Sequence, residues 1–209
     1  MTAVKKKQDV AAAIEETESE IMALIGKLTE LRQQATPAPV KNYKFRDLSG
    51  EVTLDSLFGD KDTLFAIHNM GQGCRYCTLW ADGFNGFLPH LEDRFAVVLL
   101  SKDEPEAQRR FANTRGWRFR MASHGGGAYI REQSVAAGGD NMPGMVCYER
   151  HDGKIFRKNA AKFGPNDLFC PLWPIIGLAG LGAEDWTAQY SYWKRPAKSD
   201  MDDGGNDVR

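Results

Sequence analysis

Several features are scarce or missing in this sequence, and each absence excludes a class of protein. The formal net charge is only -1 at pH 7, so the chain has no global attraction to nucleic acid or to an anionic membrane surface. It contains no apolar run of about 18 residues that would span a bilayer. The N-terminal stretch "MTAVKKKQDV" lacks the apolar core and cleavage site of a secretory signal. We therefore expect a cytoplasmic protein with no nucleic-acid partner and no membrane attachment.

Cysteine is also scarce, because the 209 residues include only four: Cys74, Cys77, Cys147 and Cys170. They are too few and too unevenly spaced for a disulfide framework, and thiols in the cytoplasm stay mostly reduced. Cys74 and Cys77 nevertheless form a C-x-x-C pair within "GQGCRYCTLW". This pair has three interpretations: a redox site, half of a metal site, or ordinary packing.

What is present is enough apolar material for one core, with 42% hydrophobic and 11% aromatic residues. We expect residues 1–39 to form an N-terminal helix and a proline linker. Residues 40–195 are expected to form one α/β domain, and the polar residues 196–209 a disordered tail.

The N-terminal helix is expected from about Gln8 to Gln34, where apolar residues occupy the a and d positions of a heptad: Ile14, Ile21, Leu24, Leu28 and Leu31. Pro37 and Pro39 then end the helix and form a short stiff linker. The apolar seam needs a partner, either the body of the same protein or another subunit. We predict a homodimer with this helix in or near the interface.

The pattern beyond residue 40 alternates between strands and helices. "TLFAIHNM" and "FAVVLLS" are predicted as buried strands, with a helix between them that places five apolar residues on one face: Trp80, Phe84, Phe87, Leu88 and Leu91. Pro89 is expected to kink or break that helix. "RFRM" adds a third parallel strand, and Asp152-Gly153 predicts a hairpin. The sequence thus predicts a sheet with both parallel and antiparallel strands.

The C-x-x-C pair falls at the predicted turn from a strand into a helix, as in the thioredoxin fold. Backbone N–H groups and the positive end of the helix dipole favour the thiolate there. Cys74 is the candidate nucleophile and is expected to lie nearer the turn and solvent. Cys77, one helical turn later, is expected to be more buried and is the candidate resolving thiol. Arg75 and Tyr76 are the candidate substrate-binding residues between the cysteines: Arg75 adds local positive charge, and Tyr76 is expected to supply contact surface.

Several segments resemble the bacterial thioredoxin-like family catalogued as domain of unknown function 899. They include "LDSLFG", "LFAIHNMGQGCRYCTLWADGFNGFLPHL", "LLSKDEPEAQRRFANTRGWRFRMAS" and "PGMVCYERHDGKIF". The resemblance implies a thioredoxin-like α/β fold: a central mixed sheet flanked by helices, preceded here by a long N-terminal helix. It also implies kinship to thioredoxins and to the alkyl hydroperoxide reductase type of peroxiredoxin, but it supplies no substrate.

The same resemblance implies roles for three further residues. His68 lies six residues before Cys74, where thioredoxins carry a buried acid that exchanges protons with the buried thiol. A histidine that only caps the strand end is the competing interpretation. Pro143 occupies the place of the thioredoxin cis-proline, and Met142 before it would present its backbone to a substrate.

The sequence thus supports the hypothesis of a thiol-disulfide oxidoreductase that acts on a protein or small-molecule disulfide without a bound cofactor. One alternative is a peroxiredoxin-like peroxidase, in which Cys77 matches the reactive cysteine, although Met70 replaces the usual proline. Another is a thioredoxin-fold interaction protein without catalysis. No metal is expected, because one C-x-x-C supplies two of the four ligands of a structural zinc site. A copper or zinc site completed by His68 or His124 is the remaining alternative.

Overall fold

A computed structural model describes residues 2–136, 138–139 and 141–190, with side chains from Asp9 onwards. The chain divides into two compact units, Met1–Pro37 and Ala38–Arg209. The predicted disordered tail, residues 196–209, lies outside the described residues.

The first unit consists of one helix, α1, which spans Thr2–Gln34. The long N-terminal helix expected from the heptad pattern is therefore confirmed, and it begins earlier than the pattern indicated. No proline occurs before Pro37, and the helix ends three residues before it.

The second unit is built on a mixed sheet of eight strands in the order β1-β8-β7-β4-β5-β6-β2-β3. The strands span Ala38–Val40 (β1), Lys44–Asp47 (β2), Gly50–Thr53 (β3), Thr63–Asn69 (β4), Ala96–Ser101 (β5), Arg120–Ser123 (β6), Gly144–His151 (β7) and Lys154–Lys162 (β8). Strands β4, β5 and β6 are parallel, and β7 runs antiparallel to β4. The predicted hairpin joins β7 and β8, and its Asp152 and Gly153 both have positive φ, at 50° and 72°.

Five helices connect these strands or follow them: α2 (Leu54–Leu57), α3 (Arg75–Glu92), α4 (Pro105–Arg115), α5 (Ala128–Glu132) and α6 (Leu172–Leu178). The expected break at Pro89 does not occur, because α3 continues through it to Glu92. Pro89 lies in the last turn, where its ring and its missing N–H disturb only the end of the helix, and its carbonyl accepts the N–H of Asp93.

The two terminal strands of the sheet are short. The segment predicted as a proline linker forms β1 at one edge, where Ala38 pairs with Arg157 and Val40 with Ile155. Pro39 is compatible with an edge strand, because an edge leaves one row of N–H groups unpaired in any case. The other edge is β3, which forms a hairpin with β2. A strand of three residues with a proline at its centre is too short to show the alternation of apolar and polar residues, so the sequence did not predict β1.

The sheet separates two apolar clusters. Alternate residues of a strand point to opposite faces, so Leu64 and Ala66 of β4 join one cluster while Ile67 joins the other. The Ile67 cluster contains the predicted apolar face of α3, with Trp80, Phe84 and Leu88 buried and Phe87 and Leu91 partly buried. We call this side the thiol face. The opposite side, which α2 and α5 cover, contains Tyr43, Tyr129 and Tyr148 and is called the tyrosine face.

Candidate functional site

The turn between β4 and α3 is held in one shape by two side chains. Gly71 has a φ of 121°, and a Cβ at this position would lie 2.9 Å from Oδ1 of Asp103. The Asp103 carboxylate also accepts the N–H of Gln72 at 2.7 Å, and Asn69 Oδ1 accepts the N–H of Gly71 at 2.9 Å. Only glycine combines this backbone conformation with so close an approach. The turn therefore delivers the chain to Cys74 in a defined direction.

Cys74 is the N-cap residue of α3, with an extended backbone at φ -94° and ψ 106°. Its Sγ accepts the backbone N–H of Cys77 at 3.1 Å. Its carbonyl accepts the hydroxyl of Thr78, also at 3.1 Å, which anchors the first turn. The sulfur thus takes the place that a serine or aspartate oxygen fills at most helix starts.

Cys77 lies in the first turn of α3, on the side of the sheet where Trp80 and Phe84 pack. Its Sγ accepts the backbone N–H of Met70 at 3.4 Å. Both thiols are buried, with exposed fractions of 5% for Cys74 and 3% for Cys77, so the difference that the sequence predicts between them is small. Neither cysteine forms a disulfide, and each sulfur has a backbone N–H donor.

The two residues between the cysteines have different surroundings. Arg75 is only 3% exposed, so it does not offer the open contact surface that a substrate-binding role implies. Tyr76 is half-buried, and its ring centroid lies 6.2 Å from that of Trp80 and 6.4 Å from that of Trp173 in α6. Of the two, Tyr76 has the exposure needed to touch a bound molecule.

The segment before β7 does lie beside the cysteine turn. Asn141 donates from Nδ2 to the carbonyl of Met70 at 3.1 Å, the residue whose N–H reaches Cys77. Met142 is half-buried, whereas Pro143 is buried and its carbonyl accepts the N–H of Phe163 at 3.0 Å. The Met142–Pro143 peptide bond is trans, unlike the cis bond at the corresponding place in thioredoxins.

His68 does not meet the thiols. Its position in β4 places it with Leu64 and Ala66 on the tyrosine face, and its Nε2 lies 2.8 Å from the hydroxyl of Tyr129. Its Nδ1 has no hydrogen-bond partner among the described residues. Burial, with the nearby charges of His124 and Arg157, lowers the pKa of His68 to about 3 and keeps the ring neutral. The proton exchange with a thiol that the resemblance implied has no direct contact to support it.

His68 instead begins a buried chain of polar side chains on the tyrosine face. The Tyr129 hydroxyl lies 3.1 Å from that of Tyr148, which donates to Oε1 of Gln133 at 3.2 Å. Gln133 Nε2 donates to the Tyr43 hydroxyl at 3.3 Å, and that hydroxyl donates to Glu132 at 2.7 Å. Burial raises the pKa of Tyr129 and of Tyr148, so both remain protonated. Sequence reasoning missed this chain, because Tyr43, His68 and Tyr148 are far in the sequence from Tyr129, Glu132 and Gln133.

The remaining cysteines and histidines form no metal centre in the part of the chain that is described, where no group of three or more His, Cys, Asp and Glu side chains converges. Burial raises the pKa of Cys147 to about 11 and also raises that of Cys170, so both are inert thiols at neutral pH. His124 is buried behind β6, and its Nδ1 accepts the N–H of Gly126 at 3.1 Å.

The family model described as "Bacterial protein of unknown function (DUF899)" matches residues 4–199. The chain belongs to this family. The membership expected from the cysteine turn and its flanking blocks is thereby confirmed. A search of curated proteins finds no match. Within the described residues, no helix has both the length and the apolar character needed to cross a bilayer.

Solved structures with a similar fold include a cysteine mutant of PrxQ from Xylella fastidiosa, at a TM-score of 0.51 and 13% identity, covering 69% of this chain and 94% of that one. Peroxidoxin BcpB from Mycobacterium tuberculosis matches with a TM-score of 0.47 and 20% identity, covering 61% of this chain and 85% of that one. A putative protein disulfide isomerase from Bacteroides thetaiotaomicron matches with a TM-score of 0.43 and 22% identity, covering 60% of this chain and 77% of that one. The DUF899 chain therefore has the thioredoxin-like fold that its sequence predicts.

Proposed function

We propose that this member of the DUF899 family is a thiol-disulfide oxidoreductase that uses Cys74 and Cys77 as a dithiol. The observation that carries the proposal is the placement of both sulfurs at the start of the 18-residue helix α3, each accepting a backbone N–H. Such donors and the positive end of the helix dipole stabilise a thiolate, which is the attacking species in disulfide exchange.

The proposed reaction has two steps. The Cys74 thiolate attacks one sulfur of a substrate disulfide, forms a mixed disulfide, and releases the other substrate sulfur as a thiolate that takes a proton from solvent. Cys77 then loses its proton and attacks Sγ of Cys74, which releases the second substrate thiol and leaves a Cys74–Cys77 disulfide. The substrate gains two electrons and the protein loses two. An external thiol reductant returns the protein to the dithiol.

Position along the helix, rather than exposure, assigns the attacking role to Cys74. As the N-cap residue it precedes the first helical turn, whereas the sulfur of Cys77 points back to Met70 at the base of the turn. The Sγ of Cys74 lies 3.1 Å from the backbone nitrogen of Cys77, so the two side chains start close enough to form a disulfide with a small shift.

Substrate contact is proposed for the half-buried side chain of Tyr76 and for the backbone at Met142, next to Pro143. The bond from Asn141 to the Met70 carbonyl fixes this segment beside the turn. Arg75 is buried and is proposed to act through its charge rather than through direct contact. Four cysteines that form no disulfide suit a reducing compartment, and we place the activity in the bacterial cytoplasm.

Two single substitutions test the assignment. Cys74→Ser is expected to abolish disulfide reductase activity and iodoacetamide labelling of this site near pH 7. Cys77→Ser is expected to leave a reactive Cys74 that accumulates mixed disulfides with the substrate, detected by mass spectrometry. Cys147→Ser, which removes a thiol of raised pKa elsewhere in the sheet, is the matched control and should keep full activity.

A second candidate is a thiol peroxidase in which Cys77 attacks a peroxide. The N–H of Met70 directed at the Cys77 sulfur favours it, because this donor would stabilise a Cys77 thiolate. In that reaction the thiolate takes one peroxide oxygen to become a sulfenic acid and the other oxygen leaves as water or an alcohol. Rapid formation of a sulfenic acid on Cys77 in the Cys74→Ser variant would support the peroxidase. If neither thiol reacts faster than free cysteine, the fold serves as an interaction scaffold.

A further inference from the structure

Exposed apolar side chains are concentrated in α1. Seven of the twelve large apolar side chains that are exposed in the described residues lie on this helix: Val10, Ile14, Ile21, Met22, Leu24, Ile25 and Leu31. A helix in a protein owes most of its stability to the packing of its apolar face against another surface. A continuous row of exposed apolar side chains therefore marks a site of interaction. We therefore expect another helix or surface to pack against the apolar face of α1.

Most of these residues fall on the two core positions of a heptad repeat. The a positions are Ile14, Ile21 and Leu28, and the d positions are Val10, Thr17, Leu24 and Leu31. Thr17 is the one polar member, and its hydroxyl is satisfied by the carbonyl of Ala13 at 2.7 Å. The seam from Val10 to Leu31 is about 33 Å long and spans three heptads, which is enough for a helix pair.

The charges beside the seam disfavour a parallel pair. In a parallel coiled coil each g residue faces the e residue of the next heptad in the partner. Lys27 is a g residue and Arg32 the following e residue, so a parallel pair places Lys27 against the partner's Arg32 twice. The acidic g residue Glu20 would face Ile25 of the partner subunit and gain no ion pair.

An antiparallel pair resolves this conflict, because there g faces g and e faces e. When Ile14 is level with the partner's Leu31, the other layers pair Ile21 with Leu24 and Leu28 with Thr17. Glu20 then faces the partner's Lys27 twice. A shift by one heptad in either direction would instead oppose two Glu20 or two Lys27 side chains. One antiparallel register therefore combines an apolar seam with opposite charges on both sides of it.

We infer that α1 forms an antiparallel helix pair with α1 of a second copy of this chain, in the register that places Glu20 beside the partner's Lys27. The pair gives the protein a homodimer interface made by the N-terminal unit. It does not depend on the chemistry proposed for the cysteines.

Charge reversals in the full-length chain, measured by sedimentation equilibrium, test both the dimer and its orientation. Glu20→Lys or Lys27→Glu alone replaces two attractive pairs by two repulsive ones, and each should raise the dimer dissociation constant about tenfold. The Glu20→Lys/Lys27→Glu double variant should return it to near the original value. Glu16→Lys, with the same charge change at an outward c position, is the control and should change it less than about threefold.

Two results would overturn the inference. An intact chain that remains monomeric at the highest concentrations would mean that another surface covers the seam, such as the body of the same chain. Tighter association of the Lys27→Glu variant would indicate a parallel pair, because residue 27 would then attract the partner's Arg32.

Discussion

The two faces of the sheet use their polar groups differently. On the thiol face the core is aromatic and aliphatic. At the start of α3, the sulfurs of Cys74 and Cys77 each accept a backbone N–H. On the tyrosine face a chain of side-chain hydrogen bonds runs through the core from His68 to Glu132. The first arrangement directs backbone donors at the two sulfurs, and the second ties side chains to one another.

We infer from this difference that the thiol face provides reactive groups, whereas the tyrosine face fixes how its side chains pack. A buried network whose members all bond to each other fixes a single arrangement of its side chains, because breaking any member leaves another without a partner. A sulfur that accepts a weak bond from a backbone N–H can leave that bond and attack. Substitutions and changes of pH on each face test this difference between the thiol face and the tyrosine face.

Acid should act mainly on the tyrosine face, through its two buried histidines. Burial lowers the pKa of His68 to about 3 and, with Lys102 nearby, that of His124 to about 4. Below about pH 6.5 the unfolded chain therefore binds protons that the folded chain does not, and stability falls as the pH falls. Each histidine contributes a loss of about 1.4 kcal/mol per pH unit until its folded pKa is reached.

Urea denaturation between pH 7 and pH 4 measures this slope. His68→Gln keeps a polar group beside Tyr129 without titrating, and it should lower the slope by about half. His90→Gln changes an exposed histidine of α3 and should leave the slope as it is. An unchanged slope in His68→Gln would mean that the buried ring is protonated in the folded state.

Apolar packing should matter equally on both faces. Phe84 on the thiol face and Phe58 on the tyrosine face are 3% and 1% exposed. Replacing either by alanine should lower the free energy of unfolding by about 3–5 kcal/mol, because each leaves a cavity in a packed core. Chemical denaturation of both variants provides the comparison. A much smaller loss for Phe58→Ala would mean that the hydrogen-bonded chain, rather than apolar contact, supports its face.

A single hydroxyl should matter on the tyrosine face only. Tyr129→Phe leaves His68 Nε2 buried without its partner, so we expect a loss of about 1–3 kcal/mol. Tyr76→Phe removes a hydroxyl from a half-buried ring of the thiol face and should change stability by less than about 0.5 kcal/mol. Equal effects, measured by denaturation, would contradict the division between the faces.

The smallest effect is expected at the turn before Cys74. Asp103→Ala removes the acceptor of the Gln72 N–H and should lower stability by about 1 kcal/mol, whereas Asp103→Asn keeps an acceptor oxygen and should lower it less. The rate of iodoacetamide labelling of Cys74 is the second measurement, since a loosened turn changes the environment of the thiol. Identical labelling in both variants and the wild type would show that Asp103 has no influence on the site.

Local signals predicted the parts of the fold that local physics determines. The apolar face from Trp80 to Leu91, the buried strands and the Asp152-Gly153 hairpin were all readable, because periodicity and turn chemistry act over a few residues. The placement of the C-x-x-C at a helix start was readable for the same reason.

The sequence did not show which face of the sheet the side chain of His68 joins. β4 is buried on both faces along most of its length, so its apolar residues do not alternate with polar ones and give no sign of which face a given side chain joins. The polar chain was also missed, since Tyr43, Tyr129 and Tyr148 meet only once the sheet has formed. The equal burial of Cys74 and Cys77 likewise depends on segments distant in the sequence.

The short terminal strands of the sheet affect how copies of this protein can associate. A terminal strand offers unpaired backbone groups to a strand of another molecule, and long flat edges of this kind lead to aggregation. Here β1 has three residues with Pro39 at its centre, and β3 has four residues that include the charged Glu51. Both edges therefore discourage the addition of a foreign strand. The sheet can remain eight strands wide in a crowded solution, because neither edge readily accepts a strand from another molecule.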